Sequence, residues 1–238
     1  MRVILLAMMM PLAACSASAR EGDKDVGPAA SRSFAVRDFT GVELRGSDDV
    51  DIKIANEFTI RAEGPQKVLD RLEIERVGDT LRISRKRDGT WSWGNSKSAR
   101  IFITMPRIAT ARIAGSGDMR IGRAEGPRFA ASSAGSGSMT IASLNAPDVE
   151  MSVAGSGDID ATGQTDNLEI NIAGSGEVKA RGLKAKSANV SIAGSGAVVA
   201  DVAGSATVSI MGSGDVDLGA GATCTTTKVG SGDVRCGK

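Results

Sequence analysis

The tripeptide Gly-Ser-Gly recurs through the second half of the chain at an almost fixed interval, and this repeat limits the folds that are possible. Successive copies begin 20, 20, 19, 20, 18 and 18 residues apart. A period near twenty residues is typical of solenoids, in which each repeat stacks on its neighbours. The copies begin at Gly115, Gly135, Gly155, Gly174, Gly194, Gly212 and Gly230.

The residues on both sides of each copy alternate between apolar and polar. Val153 and Ile172 lie two residues before a first glycine, and Ile159 and Val178 lie four residues after one. This alternation indicates two short strands in each repeat, each with one buried face, and glycine allows the positive φ that the corner between them needs. The sequence therefore predicts an all-β fold, a β-helix (β-solenoid) with Gly-Ser-Gly corners.

The segment before the repeats lacks Gly-Ser-Gly but still alternates like strand. Residues 34–106 contain runs such as Val50–Ile54 and Phe58–Ala62, and Gln66–Arg71 has the character of one helical turn after Pro65. Terminal repeats of solenoids are usually atypical. We therefore expect residues 34–106 to form irregular capping coils, and residues 107–238 to form the regular coils of the same domain.

The first residues have the features of an export signal. Arg2 is followed by a short apolar run and then by Leu12-Ala13-Ala14-Cys15, which resembles the lipobox of bacterial lipoproteins. This resemblance implies a signal peptide over residues 1–14, a lipid on Cys15 and a flexible tether over residues 15–33. Ser16 after the cysteine favours the outer membrane, with the body facing the periplasm or the cell surface. The alternative is an ordinary secretory signal that is cut after Ala17 or Ala19.

The alternating strands, the segment Gly78-Asp79-Thr80-Leu81-Arg82-Ile83 and the Gly-Ser-Gly-Asp turns together resemble one known family. The chain is similar to the putative auto-transporter adhesin, head GIN domain family, from about Phe34 to Arg235. The resemblance implies a single-stranded right-handed β-helix in an exported bacterial protein or lipoprotein. The family offers no catalytic residues to transfer.

Composition restricts the chemistry that the chain can perform. Histidine is absent, so an imidazole base or a histidine metal ligand is impossible. We predict no catalytic, cofactor or metal site, and a non-enzymatic binding or adhesion role. One alternative is a structural scaffold of the envelope. Another is a polysaccharide-cleaving enzyme that uses stacked carboxylates such as Asp158 and Glu177. These two residues belong to a row of acidic residues after the corners, which we expect to stay solvated or to attract cations.

A basic segment in the first half is the candidate contact surface. Residues 76–128 contain 12 Lys or Arg against 4 Asp or Glu. The candidate ligand contacts are Arg85, Lys86, Arg87, Trp91 and Trp93, which suit an anionic glycan or an envelope protein. The alternative is a solvated hairpin tip whose tryptophans cover the open edge of the solenoid. Nucleic acid is not an expected partner of an exported lipoprotein.

Two cysteines remain once Cys15 is assigned to the lipid. Cys224 lies six residues before Gly230 and Cys236 lies six residues after it, so both fall in the buried register of the last coil. Exported proteins fold in an oxidising compartment. We therefore predict a disulfide between Cys224 and Cys236 across the interior of that coil, with two separate buried thiols as the alternative.

Overall fold

The computed structural model describes residues 28–86 and 97–237, and in these residues nearly every element is a β-strand. The first part contains seven strands and one helix: β1 (Ala29–Phe34), β2 (Gly41–Gly46), β3 (Asp49–Ile54), β4 (Thr59–Pro65), α1 (Gln66–Arg71), β5 (Leu72–Val77), β6 (Thr80–Arg85) and β7 (Arg100–Met105). The repeat part contains β8 (Thr110–Gly115), β9 (Met119–Ile121), β10 (Ala124–Glu125), β11 (Arg128–Gly135), β12 (Met139–Asn145), β13 (Asp148–Gly155), β14 (Asp158–Gly174), β15 (Glu177–Gly194), β16 (Ala197–Val202), β17 (Ser205–Gly212), β18 (Asp215–Asp217), β19 (Thr223–Gly230) and β20 (Val234–Arg235).

Each regular coil contains two main strand segments that meet at a glycine corner, and a short third segment such as β10 follows them. Each segment pairs in parallel with its equivalent in the next coil. We call the sheet of segments before the corners face A, which contains β2, β8, β11, β13, the second halves of β14 and β15, β17 and β19. Face B contains the segments after the corners, from β3 and β9 to β20. The corner glycines pair with one another in register, as in Gly135↔Gly155 and Gly155↔Gly174. The predicted β-solenoid is confirmed.

The two glycines of each corner are needed for different reasons. The first glycine has a positive φ, such as +129° at Gly155 and +131° at Gly174, which L side chains rarely adopt. The second glycine is required by the closeness of the coils, because a Cβ on Gly157 would lie 2.3 Å from the carbonyl oxygen of Gly137. The serine between them continues the stack, since the backbone N–H of Ser156 donates to the carbonyl of Gly135 at 2.9 Å.

The interior of the solenoid is a narrow aliphatic core. Side chains alternate between buried and exposed along both faces, and the buried rows consist mainly of Val, Ile, Leu, Met and Ala. Ser133 is an exception, because it is fully buried at a position where the neighbouring coils have Ile113 and Val153. Its hydroxyl donates to the carbonyl of Gly137 at 2.7 Å, so no hydrogen-bonding group of that side chain is lost in the core.

The N-terminal end is closed by a cap in which antiparallel pairing replaces the parallel stack. β1 pairs antiparallel with β4, β4 with β7, and β5 with β6. β6 and β7 then stack in parallel on β2 and β3. The predicted helical turn is confirmed as α1, which buries Val68 and Leu69 against the core.

The first regular corner lies inside the segment that the sequence pattern assigns to irregular capping coils. Gly46-Ser47-Asp48 has the corner geometry, with φ +129° at Gly46, and Gly46 pairs with Gly115. The two paired corners are far apart in the sequence, since the next hydrogen-bonded pair, Asp49 and Asp118, is separated by 69 residues. β4 to β7 lie on the other side of this coil, beneath β2 and β3. The regular stack therefore begins with β2 and β3, and the intervening chain folds back to cap it.

The C-terminal coil differs from the coils below it. Along β19 the positions that stack on buried Val208 and Ile210 hold Thr226 and Lys228, which are exposed. The ammonium group of Lys228 donates to the carbonyl of Gly232 at 2.5 Å. Polar groups thus face the end of the stack, where an apolar row would be open to water.

The predicted disulfide is confirmed in this last coil. Cys224 and Cys236 are bonded, with their Cα atoms 6.0 Å apart across the interior. Each cysteine is partly buried against the hydrophobic core. The bridge therefore joins face A to face B where the coil has a neighbour on one side alone.

Candidate binding surfaces

Arg85 ties the basic segment to the first regular corner. Its guanidinium forms a bidentate pair with the carboxylate of Asp48, with Nε 2.9 Å from Oδ2, and also donates to the carbonyl of Lys97 at 3.2 Å. The Asp48 side chain is fully buried, whereas that of Arg85 is 20% exposed. Asp48 Oδ1 also accepts the backbone N–H of Ala99 at 2.7 Å. Asp48 thereby holds together Arg85 and Ala99, which lie on either side of Arg87, Trp91 and Trp93 in the sequence.

Asp48 was missed in the sequence, and the corner geometry explains its presence. It occupies the position of the second glycine, whose Cβ in the other corners would collide with the preceding coil. At Asp48 the groups beneath are the guanidinium of Arg85 and the backbone N–H of Ala99, and the carboxylate accepts hydrogen bonds from both. The signal was available in Gly46-Ser47-Asp48-Asp49-Val50, which matches Gly-Ser-Gly-Asp-Met at Gly115–Met119 except for Asp48 and the apolar replacement of Met by Val50.

Of the four remaining candidate contact residues, Lys86 lies in the described part of the chain. Lys86 is exposed, and its backbone N–H donates to the carbonyl of Arg71 at 2.8 Å. Arg87, Trp91 and Trp93 lie outside the described residues, as does Cys15. The structure therefore fixes the base of the basic segment and leaves the contact prediction itself as a prediction.

Arginines and glutamates alternate across the strands of the cap on face A. Arg82 lies between Glu43 at 3.0 Å and Glu75 at 3.6 Å, and Arg45 pairs with Glu43 at 2.8 Å. Partial burial would raise the pKa of Glu43, but the hydrogen bonds from Arg45 and Arg82 outweigh it and lower that pKa. Opposite charges on neighbouring strands stabilise this pairing.

The row of acidic residues that follows the corners serves the backbone. Asp118 Oδ1 accepts the N–H of Ser138 at 3.0 Å, and Asp158 Oδ1 accepts the N–H of Glu177 at 3.1 Å. Each carboxylate thus hydrogen-bonds to the equivalent position of the next coil. In the described parts of the chain, no group of three His, Cys, Asp or Glu side chains is placed to hold a metal ion.

Asp158 and Glu177, the carboxylates considered for glycoside chemistry, are both bonded to one cation. The Lys179 ammonium lies 3.2 Å from Asp158 and 3.3 Å from Glu177. The hydrogen bonds that the Lys179 ammonium donates to these two carboxylates raise the pKa of Lys179. Both carboxylates are therefore engaged in a partly exposed ion pair on face B.

A similar pairing occurs nearer the C-terminal end. The carboxylate of Asp217 accepts the backbone N–H of Gly219 at 3.1 Å and pairs with Arg181 at 2.9 Å. The Gly219 hydrogen bond, followed by the Arg181 hydrogen bond, lowers the pKa of Asp217. This carboxylate is a structural acceptor on face B.

A groove of about 340 Å³ crosses face A over five successive strand segments, from β11 to β17. Its walls come from outward positions seven and five residues before each corner glycine. These positions hold Arg128, Asp148, Asn167, Ser187 and Ser205 in one row, and Glu150, Glu169, Asn189 and Thr207 in the other. Sequence reasoning did not single out this groove, although the two rows can be written down once the coil register is known.

Residues 38–222 match the family described as "Putative auto-transporter adhesin, head GIN domain". The chain belongs to this family. No curated protein matches it.

Solved structures of similar shape include proteins from Bacteroides and Parabacteroides species. A putative adhesin from Bacteroides fragilis superimposes with a TM-score of 0.82 at 20% identity, covering 88% of this chain and 97% of the other. A putative lipid binding protein from Parabacteroides distasonis gives 0.71 at 23% identity, covering 89% and 98%. A putative adhesin from Parabacteroides merdae gives 0.70 at 16% identity, covering 89% and 97%. At these identities the likeness establishes the fold.

The family assignment agrees with the adhesin-like domain expected from the sequence. Such a domain is consistent with a non-enzymatic role in adhesion at the envelope or the cell surface. Among the described residues, no helix has the length and apolar character needed to span a membrane.

Proposed function

We propose that this protein is an exported lipoprotein, held at the outer membrane by acyl chains on Cys15, whose solenoid is a non-enzymatic binding module of the cell envelope. The observation that carries the proposal is the bond between Cys224 and Cys236, because disulfides of this kind persist in oxidising compartments outside the cytoplasm. The Leu12-Ala13-Ala14-Cys15 sequence and the family membership point in the same direction.

The basic segment is the proposed contact surface for an anionic glycan or an envelope protein. Arg85 has a positioning role, because its charge is paired with buried Asp48. Lys86, Arg87, Trp91 and Trp93 supply the contacts that bind the partner. In this arrangement the Asp48–Arg85 pair holds the base of a binding segment at the N-terminal end of the solenoid.

Anchoring is tested by replacing the lipid-bearing cysteine. The Cys15→Ser protein is expected in the soluble fraction of lysed cells, without acyl label, while the wild-type protein stays with the outer membrane. A Cys15→Ser protein that still carries acyl chains and still sediments with membranes would refute the lipoprotein assignment. Cys224→Ser is the matched control, because it changes a cysteine of the body and leaves the lipobox intact.

Binding through the basic segment is tested with an anionic polymer. Polygalacturonate affinity is expected to fall steeply between low and physiological salt, because exposed charges are screened. Trp91→Ala and Arg87→Ala are each expected to weaken binding at least threefold, whereas Arg235→Ala, an exposed arginine at the opposite end of the solenoid, should leave it unchanged. Affinity that ignores both salt and the Trp91→Ala change would remove this segment as the site.

A further inference from the structure

We propose that the groove on face A binds a neutral linear saccharide that lies along the solenoid axis. This inference rests on the proposed binding role and adds a second surface with a ligand class different from that of the basic segment. Three properties of the groove lining support it: the chemistry of its side chains, its charge and its fixed geometry.

The lining suits a ligand that hydrogen-bonds through many hydroxyl groups. Two amides, three hydroxyls and three carboxylates face the groove, at Asn167, Asn189, Ser187, Ser205, Thr207, Asp148, Glu150 and Glu169. Each hydroxyl or amide can both donate and accept, and each carboxylate can accept from two neighbouring hydroxyls. The described lining contains no aromatic side chain, so a flat apolar ligand finds no stacking partner there.

The charge of the groove selects against anions. The one cation in the lining, Arg128, is 2.7 Å from Glu150, and the hydrogen bond that its guanidinium donates to that carboxylate raises the pKa of Arg128. Asp148 and Glu169 add negative charge with no lysine or arginine bonded to them among the described contacts. An acidic polymer would be repelled here, although it would be attracted to the basic segment.

The polar side chains of the groove are already held in place. Ser187 Oγ lies 3.0 Å from Asn167 Oδ1, and Asn167 Nδ2 donates to Asp148 Oδ1 at 2.8 Å. This chain of hydrogen bonds crosses three coils and sets the orientation of the Asn167 amide. A site whose side chains are fixed before binding loses less conformational entropy when the ligand arrives.

The spacing of the rows favours a polymer over a single sugar. Equivalent side chains recur in each coil at about 4.8 Å, the separation of neighbouring strands. This distance is close to the length that one pyranose ring adds to an extended chain. The volume of about 340 Å³ is at the small end of ligand sites and accommodates a short stretch of such a chain, with both ends left open across the coils.

The inference is tested on the detergent-solubilised full protein with cellohexaose, xylohexaose and mannohexaose as probes. At least one probe is expected to bind, with an affinity that does not change between low and physiological salt. Asn167→Ala and Asn189→Ala are each expected to weaken that binding about tenfold. The matched control is Asn145→Ala, an exposed asparagine outside the groove that accepts a similar coil-to-coil hydrogen bond from Gln164 at 3.2 Å.

The outcomes separate this inference from the proposed function. Failure of all three probes, or equal effects of the Asn167 and Asn145 changes, would overturn the groove as a saccharide site. Binding of hexalysine that is lost in Glu169→Gln would also overturn it and would assign the groove to basic peptides. Polygalacturonate binding through Trp91 and membrane release of Cys15→Ser are measured independently, so either proposal can fail while the other stands.

Discussion

Alanine substitutions at three corner glycines can separate the two reasons for which the corners need glycine. Gly46 and Gly155 have the same φ of +129°, but no described atom lies within 4 Å of a Cβ at Gly46, whereas a Cβ at Gly155 would lie 2.4 Å from the carbonyl oxygen of Gly135. Gly157 has no positive φ, yet its Cβ would lie 2.3 Å from the carbonyl oxygen of Gly137. The first variant tests the backbone conformation, the third tests the contact, and the second tests both.

The expected losses follow from these geometries. A positive φ in a region reserved for glycine costs about 1–3 kcal/mol, and alanine recovers about 0.4–1 kcal/mol by restricting the unfolded chain, so Gly46→Ala should lose about 1–2 kcal/mol. Overpacking against backbone costs about 1–3 kcal/mol, which applies to Gly157→Ala. Gly155→Ala carries both effects and should lose about 2–5 kcal/mol, a large part of the stability of an ordinary domain.

The assay is equilibrium urea unfolding of the mature protein followed by circular dichroism, with free energies compared at equal slope. Gly122→Ala is the control, because its Cβ would meet a single carbonyl oxygen at 3.5 Å, an ordinary contact, and its φ is not positive. Equal losses for Gly46→Ala and Gly155→Ala would refute the argument that contact between coils requires glycine.

Three further predictions concern the ends of the stack and its acid stability. Alkylation of denatured, unreduced protein should label neither Cys224 nor Cys236, and reduction should lower the free energy of unfolding by about 2–3 kcal/mol because the bridged loop is short; two labelled thiols would contradict the pairing. Asp48→Asn should cost about 2–4 kcal/mol in urea unfolding, because Arg85 loses its counter-charge in a largely buried position, and an unchanged midpoint would show that the pair is dispensable. The pKa of Asp217 is lowered in the folded state, so the small contribution of this group to the free energy of unfolding is complete above the unfolded pKa of about 3.9 and is lost as pH falls through the folded pKa. Asp217→Asn should therefore reduce the fall in Tm between neutral and acid pH, and a variant with the same fall as the wild-type protein would contradict this.

The sequence predicts the repeat part of this fold well because its constraints are local. The period of the corners and the alternation around residues such as Val153 and Ile159 depend on neighbours a few positions away, and the pairing of Cys224 with Cys236 follows from equal offsets about Gly230. The coil at Gly46 was harder to find, because its stacking partner Gly115 is distant in sequence and Asp48 interrupts the glycine pattern.

The surface features depend on contacts that no single repeat displays. The acidic row, expected to stay solvated or to attract cations, also accepts backbone N–H groups, as Asp118 does from Ser138. The role of Arg85 depends on the position of Asp48 in the first corner. The groove depends on the register of several coils and on the hydrogen bond between Asn167 and Asp148. Neither can be deduced from the sequence of one repeat.

The two ends of the stack are closed by different groups, and this affects how such proteins can evolve. Every internal corner contacts a corner of the same kind, whereas Asp48 closes one end and Lys228 with the disulfide closes the other. Duplication or loss of one whole repeat between them would change the reach of the molecule by about 4.8 Å, one strand spacing, and would leave both closures intact. An insertion of a few residues inside a strand would instead disturb the register of that coil with its two neighbours. Natural variation in length among relatives is therefore expected in whole coils, and each added coil would extend the groove rows by one more pair of polar side chains.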